Sequence, residues 1–238
     1  MSERRTARDL RRRRLGQNFL ADDSIIERFL AGVDLRGAEV VVDLGAGAGA
    51  LTRPLAALAR SLGVEVWAVE ADPHWADGLE RSVSGLGVRV IRADLRSLRL
   101  PAVPYVAVGN LPFGRTTDVL ARLLDRPERG PLRAELIVQR DVARKHATSP
   151  PTTLRTAAWA PWWEFHLGAA IDRRSFRPVP GVDAAALGVR RREPPVLPAT
   201  LAPRFRETLR AAWSHAHDPA ANSATKSAGR PTTGRMRP

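Results

Sequence analysis

Apolar residues along the chain fall into short, nearly continuous runs that alternate with segments in which Leu, Ala and Val recur at helical spacing. Five of the runs are rich in β-branched residues, and their continuous apolarity is typical of parallel strands buried on both faces. We predict these strands at residues 39–45, 64–70, 88–94, 105–110 and 134–140. With helical segments such as "LTRPLAALARSL" between them, the pattern predicts a doubly wound α/β domain.

The C-terminal part of the chain follows a different pattern. Two apolar runs, "WEFHLGAAI" and "DAAALGVRR", flank the proline-bearing "DRRSFRPVP" and predict a late hairpin on the sheet edge, next to a tryptophan cluster expected in the core. A proline-rich linker, one helix-like piece and a polar tail come after it. We therefore divide the chain into a basic arm at 1–14, an α/β domain at 15–192, a short helical region at 193–217 and a tail, predicted to be disordered, at 218–238.

Charge narrows the class of partner. The chain has 238 residues, a net charge of +13 and a pI of about 11.5, which indicates a polyanionic partner. A bias toward arginine codons would explain Arg over Lys, but it does not explain the excess of basic over acidic residues. The densest basic run lies at residues 4–14. We expect this arm to contact nucleic-acid phosphates, the alternative being a solvated arm without a partner.

The absence of cysteine limits the possible compartments and metal sites. Without cysteine there are neither disulfides nor thiolate ligands, which favours a reducing cytoplasm, and the histidines show no metal-ligand spacing. No apolar run approaches the roughly 18 residues that span a bilayer. The basic start is followed by the polar "LGQNFLADDS" rather than a signal-peptide core. We expect a cytoplasmic protein with no metal and no membrane segment.

A glycine-rich turn gives the first indication of a ligand. In "VVVDLGAGAGALT", Gly45, Gly47 and Gly49 follow a buried strand and precede a helix, so the backbone can turn tightly and approach a ligand. The same letters satisfy the G-x-G-x-x-A fingerprint of dinucleotide-binding proteins. They also fit a plain strand-to-helix turn.

Polar side chains at the ends of three later strands help to distinguish between these interpretations of the glycine-rich turn. Glu70 can accept hydrogen bonds from ribose hydroxyls, a device that nicotinamide and S-adenosylmethionine (SAM) proteins share. Asp94 can accept from the amino group of an adenine, and Asn110 is expected beside the reacting centre. Because the carboxyl ends of parallel strands meet at one edge, these side chains and Gly45 converge on one crevice. As a set they favour SAM.

Several segments together resemble the rRNA adenine-N6 methyltransferases, a family that includes the erythromycin-resistance (Erm) enzymes and the small-subunit dimethyladenosine transferases. The segments are "LGQNFL", "DLGAGAGALT", "VEAD", "RADL", "GNLPF" and "SFRPVPGVDAAALGVRRR", which span Leu15 to Arg192 in the expected order. The resemblance is greater to the Erm group. It implies a Rossmann-like class I SAM-dependent methyltransferase fold, a monomer, and N6-methylation of an adenine in 23S rRNA that gives resistance to macrolide, lincosamide and streptogramin B antibiotics.

The resemblance also assigns individual residues. It implies SAM contacts by Asn18, Leu20, Gly45, Glu70, Asp94 and Asn110. It further implies a helical C-terminal domain, and here the sequence departs from the family, because the stretch after Arg192 has room for little more than one helix and a tail. We expect the helical subdomain of the family to be truncated here, and the sequence does not predict whether it contributes to RNA binding.

The "NLPF" segment suggests a mechanism. The lone pair of an adenine N6 amine is delocalised into the ring, so the site has to favour the pyramidal form that attacks the methyl group. We expect the Asn110 side-chain oxygen and the Leu111 carbonyl to accept the two N6 hydrogens. Phe113 is expected to stack on the flipped-out purine and Phe176 to cover its opposite face.

Three other functions stay open on the sequence alone. The nearest is a small-subunit (16S) rRNA dimethyladenosine transferase. The second is an RNA-binding or ribosome-assembly factor that has the fold without turnover. A nicotinamide-dependent oxidoreductase is the most distant.

Overall fold

The computed structural model describes residues 18–216, and the side chains of residues 18–214. The predicted basic arm at 1–14 and the predicted tail at 218–238 lie outside the described residues.

A seven-stranded sheet forms the centre of the protein. In chain order the strands of the described region are β1 (Phe19–Leu20), β2 (Val40–Leu44), β3 (Glu65–Glu70), β4 (Val88–Arg92), β5 (Tyr105–Asn110), β6 (Arg133–Gln139), β7 (Trp163–Ile171), β8 (Phe176–Arg177) and β9 (Ala184–Arg191). The order across the sheet is β4-β3-β2-β5-β6-β9-β7. Strands β2 to β6 are parallel, whereas β9 pairs antiparallel with β6 and with β7. The five predicted strands and the late hairpin at the edge are confirmed.

Helices cover the sheet and follow its strands. They are α1 (Asp23–Ala31), α2 (Thr52–Ser61), α3 (Pro73–Ser82), α4 (Thr116–Leu124), α5 (Arg140–Ala147), α6 (Leu154–Trp159) and α7 (Ala202–Ala216). Their starts have physical causes in the sequence. The Asp22 carboxylate accepts from two amides at the start of α1, and Asp72 caps α3 beside Pro73, which needs no hydrogen-bond partner at that position.

The three neighbouring tryptophans lie in the core, as predicted. Trp159, Trp162 and Trp163 are each at most 2% exposed and pack with the strands on one sheet face. The Trp162 indole donates to the Leu197 carbonyl at 2.7 Å, and its ring meets Phe205 of α7 edge to face. These contacts attach the linker and α7 to the α/β domain.

Strands β1 and β8 form a separate two-stranded antiparallel ribbon, in which Phe19 pairs with Arg177 and Leu20 with Phe176. The ribbon brings the beginning of the described chain next to the carboxyl ends of the parallel strands. Among residues 18–216, no helix has the length and apolarity needed to cross a bilayer.

Candidate functional site

A crevice that is partly open to solvent lies at the carboxyl ends of the parallel strands. This is where open α/β sheets bind ligands. Its walls contain six of the predicted site residues: Asn18, Gly45, Glu70, Asp94, Asn110 and Leu111. The sheet therefore brings together side chains that are up to 93 positions apart in the sequence.

The glycine turn after β2 forms one wall of the crevice. Gly47 has φ +54°, and a Cβ added there would lie 2.6 Å from a carbon of the Phe19 ring. Both the left-handed backbone and the close approach of the ring require glycine at this position. The Gly47 amide points to the end of β3, where it donates to Glu70 Oε2 at 2.8 Å.

Glu70 connects the glycine turn to the next strand. Its other oxygen, Oε1, accepts from the Asp72 amide at 2.8 Å, and the side chain is buried. Burial raises the pKa of Glu70 despite these hydrogen bonds. Each carboxylate oxygen has a second lone pair, so Glu70 can hold the turn and still accept from a hydroxyl in the crevice.

Asp43 is a buried carboxyl beside the turn that the sequence analysis missed. It is 1% exposed, and its Oδ2 accepts from the Thr52 hydroxyl at 2.6 Å, whereas Oδ1 has no partner among the described residues. Burial raises the pKa of Asp43 to about 7, and the charge of Glu70 adds to the rise. An acidic residue inside the apolar run "VVVDL" was the signal that could have identified it.

Asn110 ends β5 with a fixed amide orientation. Its Nδ2 donates to the Asn18 carbonyl at 2.7 Å. Because a carbonyl can only accept, this contact fixes which end of the amide faces Asn18. The oxygen Oδ1 is buried and has no donor among residues 18–214. Asn18 therefore contributes a backbone carbonyl that sets the direction of the Asn110 acceptor.

The two phenylalanines do not form the expected open slot. Phe176 is 0% exposed and lies in the core, and the Phe113 ring meets it at 6.3 Å between centroids with an interplanar angle of 71°. A purine lying between two parallel faces requires both faces to be open. In this structure Phe176 instead supports Phe113 from its edge, and Phe113 is the half-buried ring of the pair.

Leu20 does not line the crevice with its side chain, and its predicted cofactor contact stays a prediction. Its side chain is 4% exposed and packs in the same core cluster as Phe176, away from the crevice wall. Because successive residues of a strand point to opposite sides, its neighbour Phe19 lines the crevice instead. The Phe19 ring packs against Trp75 at 4.7 Å, a contact that the sequence analysis did not predict.

Asp94 lies in the crevice wall, but its carboxylate already has a partner. Arg96 donates Nε to Oδ1 at 3.0 Å and Nη2 to Oδ2 at 2.7 Å, and this arginine lowers the pKa of Asp94 to about 2. Asp34 with Arg36 and Asp172 with Arg174 form the same pair at the same spacing, and neither of these pairs lines the crevice. The pair is therefore a local feature of Asp-x-Arg turns rather than a mark of the site.

Acidic and imidazole side chains are not grouped for metal binding within the described part of the chain, where no three His, Cys, Asp or Glu residues could hold an ion.

Known proteins resemble the chain in both sequence and fold. An rRNA adenine N-6-methyltransferase of Corynebacterium diphtheriae is 40% identical over 183 residues, which cover 77% of this chain and 70% of that protein. The mycinamicin-resistance protein MyrB of Micromonospora griseorubida is 40% identical over 186 residues, 78% of this chain and 58% of that protein. The crystal structure of the 23S rRNA methyltransferase ErmE superposes with a TM-score of 0.73 at 31% identity, covering 84% of this chain and 80% of that one.

These likenesses confirm the Rossmann-like methyltransferase fold that the sequence predicted. The family described as ribosomal RNA adenine dimethylase matches residues 8–224, nearly the whole chain. A match of that extent, with the crevice at the expected strand ends, establishes that the chain belongs to the ribosomal RNA adenine dimethylase family.

Proposed function

We propose that this chain methylates the N6 amine of one adenine in 23S rRNA with SAM as the methyl donor, and that the modification gives resistance to macrolide, lincosamide and streptogramin B antibiotics. The family match and the names of the relatives support the reaction class. The observation that carries the proposal is the buried Asn110 oxygen, an acceptor with no donor among residues 18–214. A buried acceptor without a donor costs about 1 to 3 kcal/mol, so a ligand amine at this position recovers that energy.

The crevice fits a nucleoside-containing methyl donor. The buried Glu70 carboxylate has spare lone pairs for ribose hydroxyls, and the glycine turn allows the backbone to approach the ligand. Asp94 keeps its charge, because Arg96 lowers its pKa, and can accept from an adenine amino group. When bound, SAM supplies a methyl group activated by a sulfonium.

On the substrate side, the residues of the "NLPF" segment have separate tasks. Asn110 Oδ1 and the Leu111 carbonyl accept the two N6 hydrogens, which holds the amine with its lone pair free. The Asn18 carbonyl keeps the Asn110 amide from rotating. Phe113 stacks on the purine with Phe176 against its edge, a contact worth about 1 to 3 kcal/mol for a stacked base.

Methyl transfer with labelled SAM tests the proposal directly. The protein is incubated separately with 23S and 16S rRNA, and the modified position is mapped by primer extension. We expect label in one adenine of 23S rRNA. Label in 16S rRNA alone would identify a small-subunit dimethyladenosine transferase, and binding of rRNA without label would favour a ribosome-assembly factor.

The variant Asn110→Ala tests the role of the acceptor. We expect a loss of about 100- to 1000-fold in kcat, the range found when one preorganised hydrogen-bonding group is removed from a catalytic site. Thr117→Ala, which changes an exposed side chain in the following helix, is the matched control. If Asn110→Ala methylates rRNA as fast as the control, the acceptor has no catalytic role.

A further inference from the structure

Two arginines beside the crevice, Arg173 and Arg177, lack among the described residues the carboxylate partner that other arginines at this edge of the sheet have. Arg140 forms an ion pair with Asp183, and Arg174 forms one with Asp172. Arg173 and Arg177 make no ion pair with any carboxylate of the described residues. The Arg173 guanidinium donates to the Gly181 carbonyl at 3.4 Å, and Arg177 donates to the Arg174 and Phe176 carbonyls at 2.7 and 2.9 Å.

These two arginines flank Phe176 in the sequence, and the Phe176 ring contacts Phe113 of the "NLPF" segment. Arg177 follows Phe176 in β8 and pairs with Phe19 across the ribbon, next to Asn18, whose carbonyl holds the catalytic amide. Both arginine side chains are exposed. Their charges are thus available to an anion that approaches the purine-stacking ring.

A surface groove that is open to solvent begins beside Arg173. It lies at the carboxyl end of β6, the strand next to β5, where Asn110 pairs with Ile137. The sheet order puts this groove on the opposite side of Asn110 from β3 and Glu70. A ligand in the groove would therefore not occupy the cofactor end of the crevice.

The chemistry of the groove is mixed. Arg140 and Arg173 line it together with Gln139 and two carboxylates, Asp141 and Asp183. Asp183 is paired with Arg140, which leaves Arg173 as the lining cation without an ion pair among the described residues, and Val182, 45% exposed, adds apolar surface. A single-stranded nucleic acid offers phosphates for the arginines and base faces for the apolar surface. The guanidinium group binds phosphate through two parallel hydrogen bonds, which lysine cannot make.

We propose that this groove holds the RNA strand next to the target adenine, with Arg173 and Arg177 binding the phosphates that flank the flipped nucleotide. The proposal rests on the rRNA methyltransferase function proposed above and adds where the strand runs. Contacts to the flanking phosphates hold the extruded base at Phe113, and they position the RNA without reading its sequence.

Salt dependence of RNA binding tests the assignment. The binding constant for 23S rRNA transcribed in vitro is measured by filter binding between about 50 and 300 mM KCl for the full chain and for Arg173→Gln/Arg177→Gln. The slope of log K against log salt is negative, and each lost phosphate contact reduces its magnitude by about 0.7 to 0.9, so we expect the magnitude to fall by about 1.4 to 1.8 in the double variant. Each single variant is expected to reduce the magnitude of the slope by half as much.

Arg60→Gln is the matched control. Arg60 is exposed, lies at the C-terminal end of α2 and makes no ion pair with the described residues. It donates to the carbonyl of Gly85 at 3.5 Å, and Gly85 precedes β4, the strand at the opposite edge of the sheet from β7. We expect its slope to equal that of the wild type. An equal loss of slope in Arg60→Gln would mean that net charge alone matters, and an unchanged slope in the double variant would remove both arginines from the RNA path.

A separate measurement distinguishes this proposal from the function on which it rests. Calorimetric titration with S-adenosylhomocysteine, the product of methyl transfer, is expected to give the same Kd for the wild type and the double variant, because neither arginine lines the cofactor end. If the wild type methylates rRNA but the double variant keeps its slope, only the RNA path is wrong. If the wild type neither binds the product nor methylates rRNA, the proposed function itself fails.

Discussion

The buried carboxyl of Asp43 makes the stability of the fold depend on pH in a direction that can be measured. Burial raises the pKa of Asp43 to about 7 from its ordinary value of 3.8, so the folded protein binds a proton that the unfolded chain releases. That stabilising effect is complete below about pH 4 and is lost as the pH rises to about 7. The difference between the two pKa values corresponds to about 4 kcal/mol.

The substitution Asp43→Asn removes the titrating group and keeps the size of the side chain. The free energy of unfolding is measured with urea at several values between about pH 4.5 and pH 8 for both proteins. We expect the stability of the wild type relative to Asp43→Asn to fall by about 3 to 4 kcal/mol over this range. The comparison is made between variants because buried His146, whose pKa is lowered by burial, changes the stability of both proteins in the opposite direction.

Glu27→Gln is the control for this measurement, because Glu27 is an exposed carboxylate on α1. Its stability relative to the wild type is expected to change little with pH. A constant difference between the wild type and Asp43→Asn over the whole range would refute the reasoning, since it would mean that Asp43 ionises in the folded protein as it does in the unfolded chain.

Three further predictions concern the crevice and the arm. Gly47→Ala is expected to lower stability by about 1 to 3 kcal/mol in urea unfolding, because the new Cβ meets a ring at 2.6 Å. Gly63→Ala, with φ +67° and nothing within 4 Å, should cost only about 1 kcal/mol, and equal losses would contradict the clash. Arg96→Ala is expected to weaken S-adenosylhomocysteine binding at most about fivefold by calorimetry, since the exposed pair with Asp94 is worth at most about 1 kcal/mol, and a complete loss would be incompatible with this. Deleting residues 1–14 is expected to weaken rRNA binding and flatten its salt dependence, and an unchanged salt slope would leave the arm without an RNA contact.

Local sequence patterns predicted the fold correctly where the types of residue in a segment are typical of a single structural element. Apolar runs rich in Val gave the parallel strands, and the proline-bearing segment between two apolar runs gave the edge hairpin. Because parallel strands place their carboxyl ends at one edge, Gly45, Glu70, Asp94 and Asn110 were also predicted to meet before any distance was known, and all four line the crevice.

The sequence pattern was less informative about whether a side chain of a short strand points into the core or toward the crevice. The sequence did not predict that the pairing of β1 with β8 turns the Leu20 side chain into the core and Phe19 toward the crevice. It assigned Phe176 an open face, but that ring is fully buried. Both positions lie in the β1–β8 ribbon, whose strands are more than 150 positions apart in the chain.

The sequence by itself determined the family, the order of the strands along the chain and the residues at their ends, since these follow from local periodicity and from motifs in a fixed order. Only the tertiary structure decided how those residues are partnered: the Asn18 carbonyl that orients Asn110, the burial that raises the pKa of Asp43, and the lack of a carboxylate partner for Arg173 and Arg177 among the described residues. Hydrogen bonding and burial depend on groups distant in the chain, which is why periodicity cannot predict them.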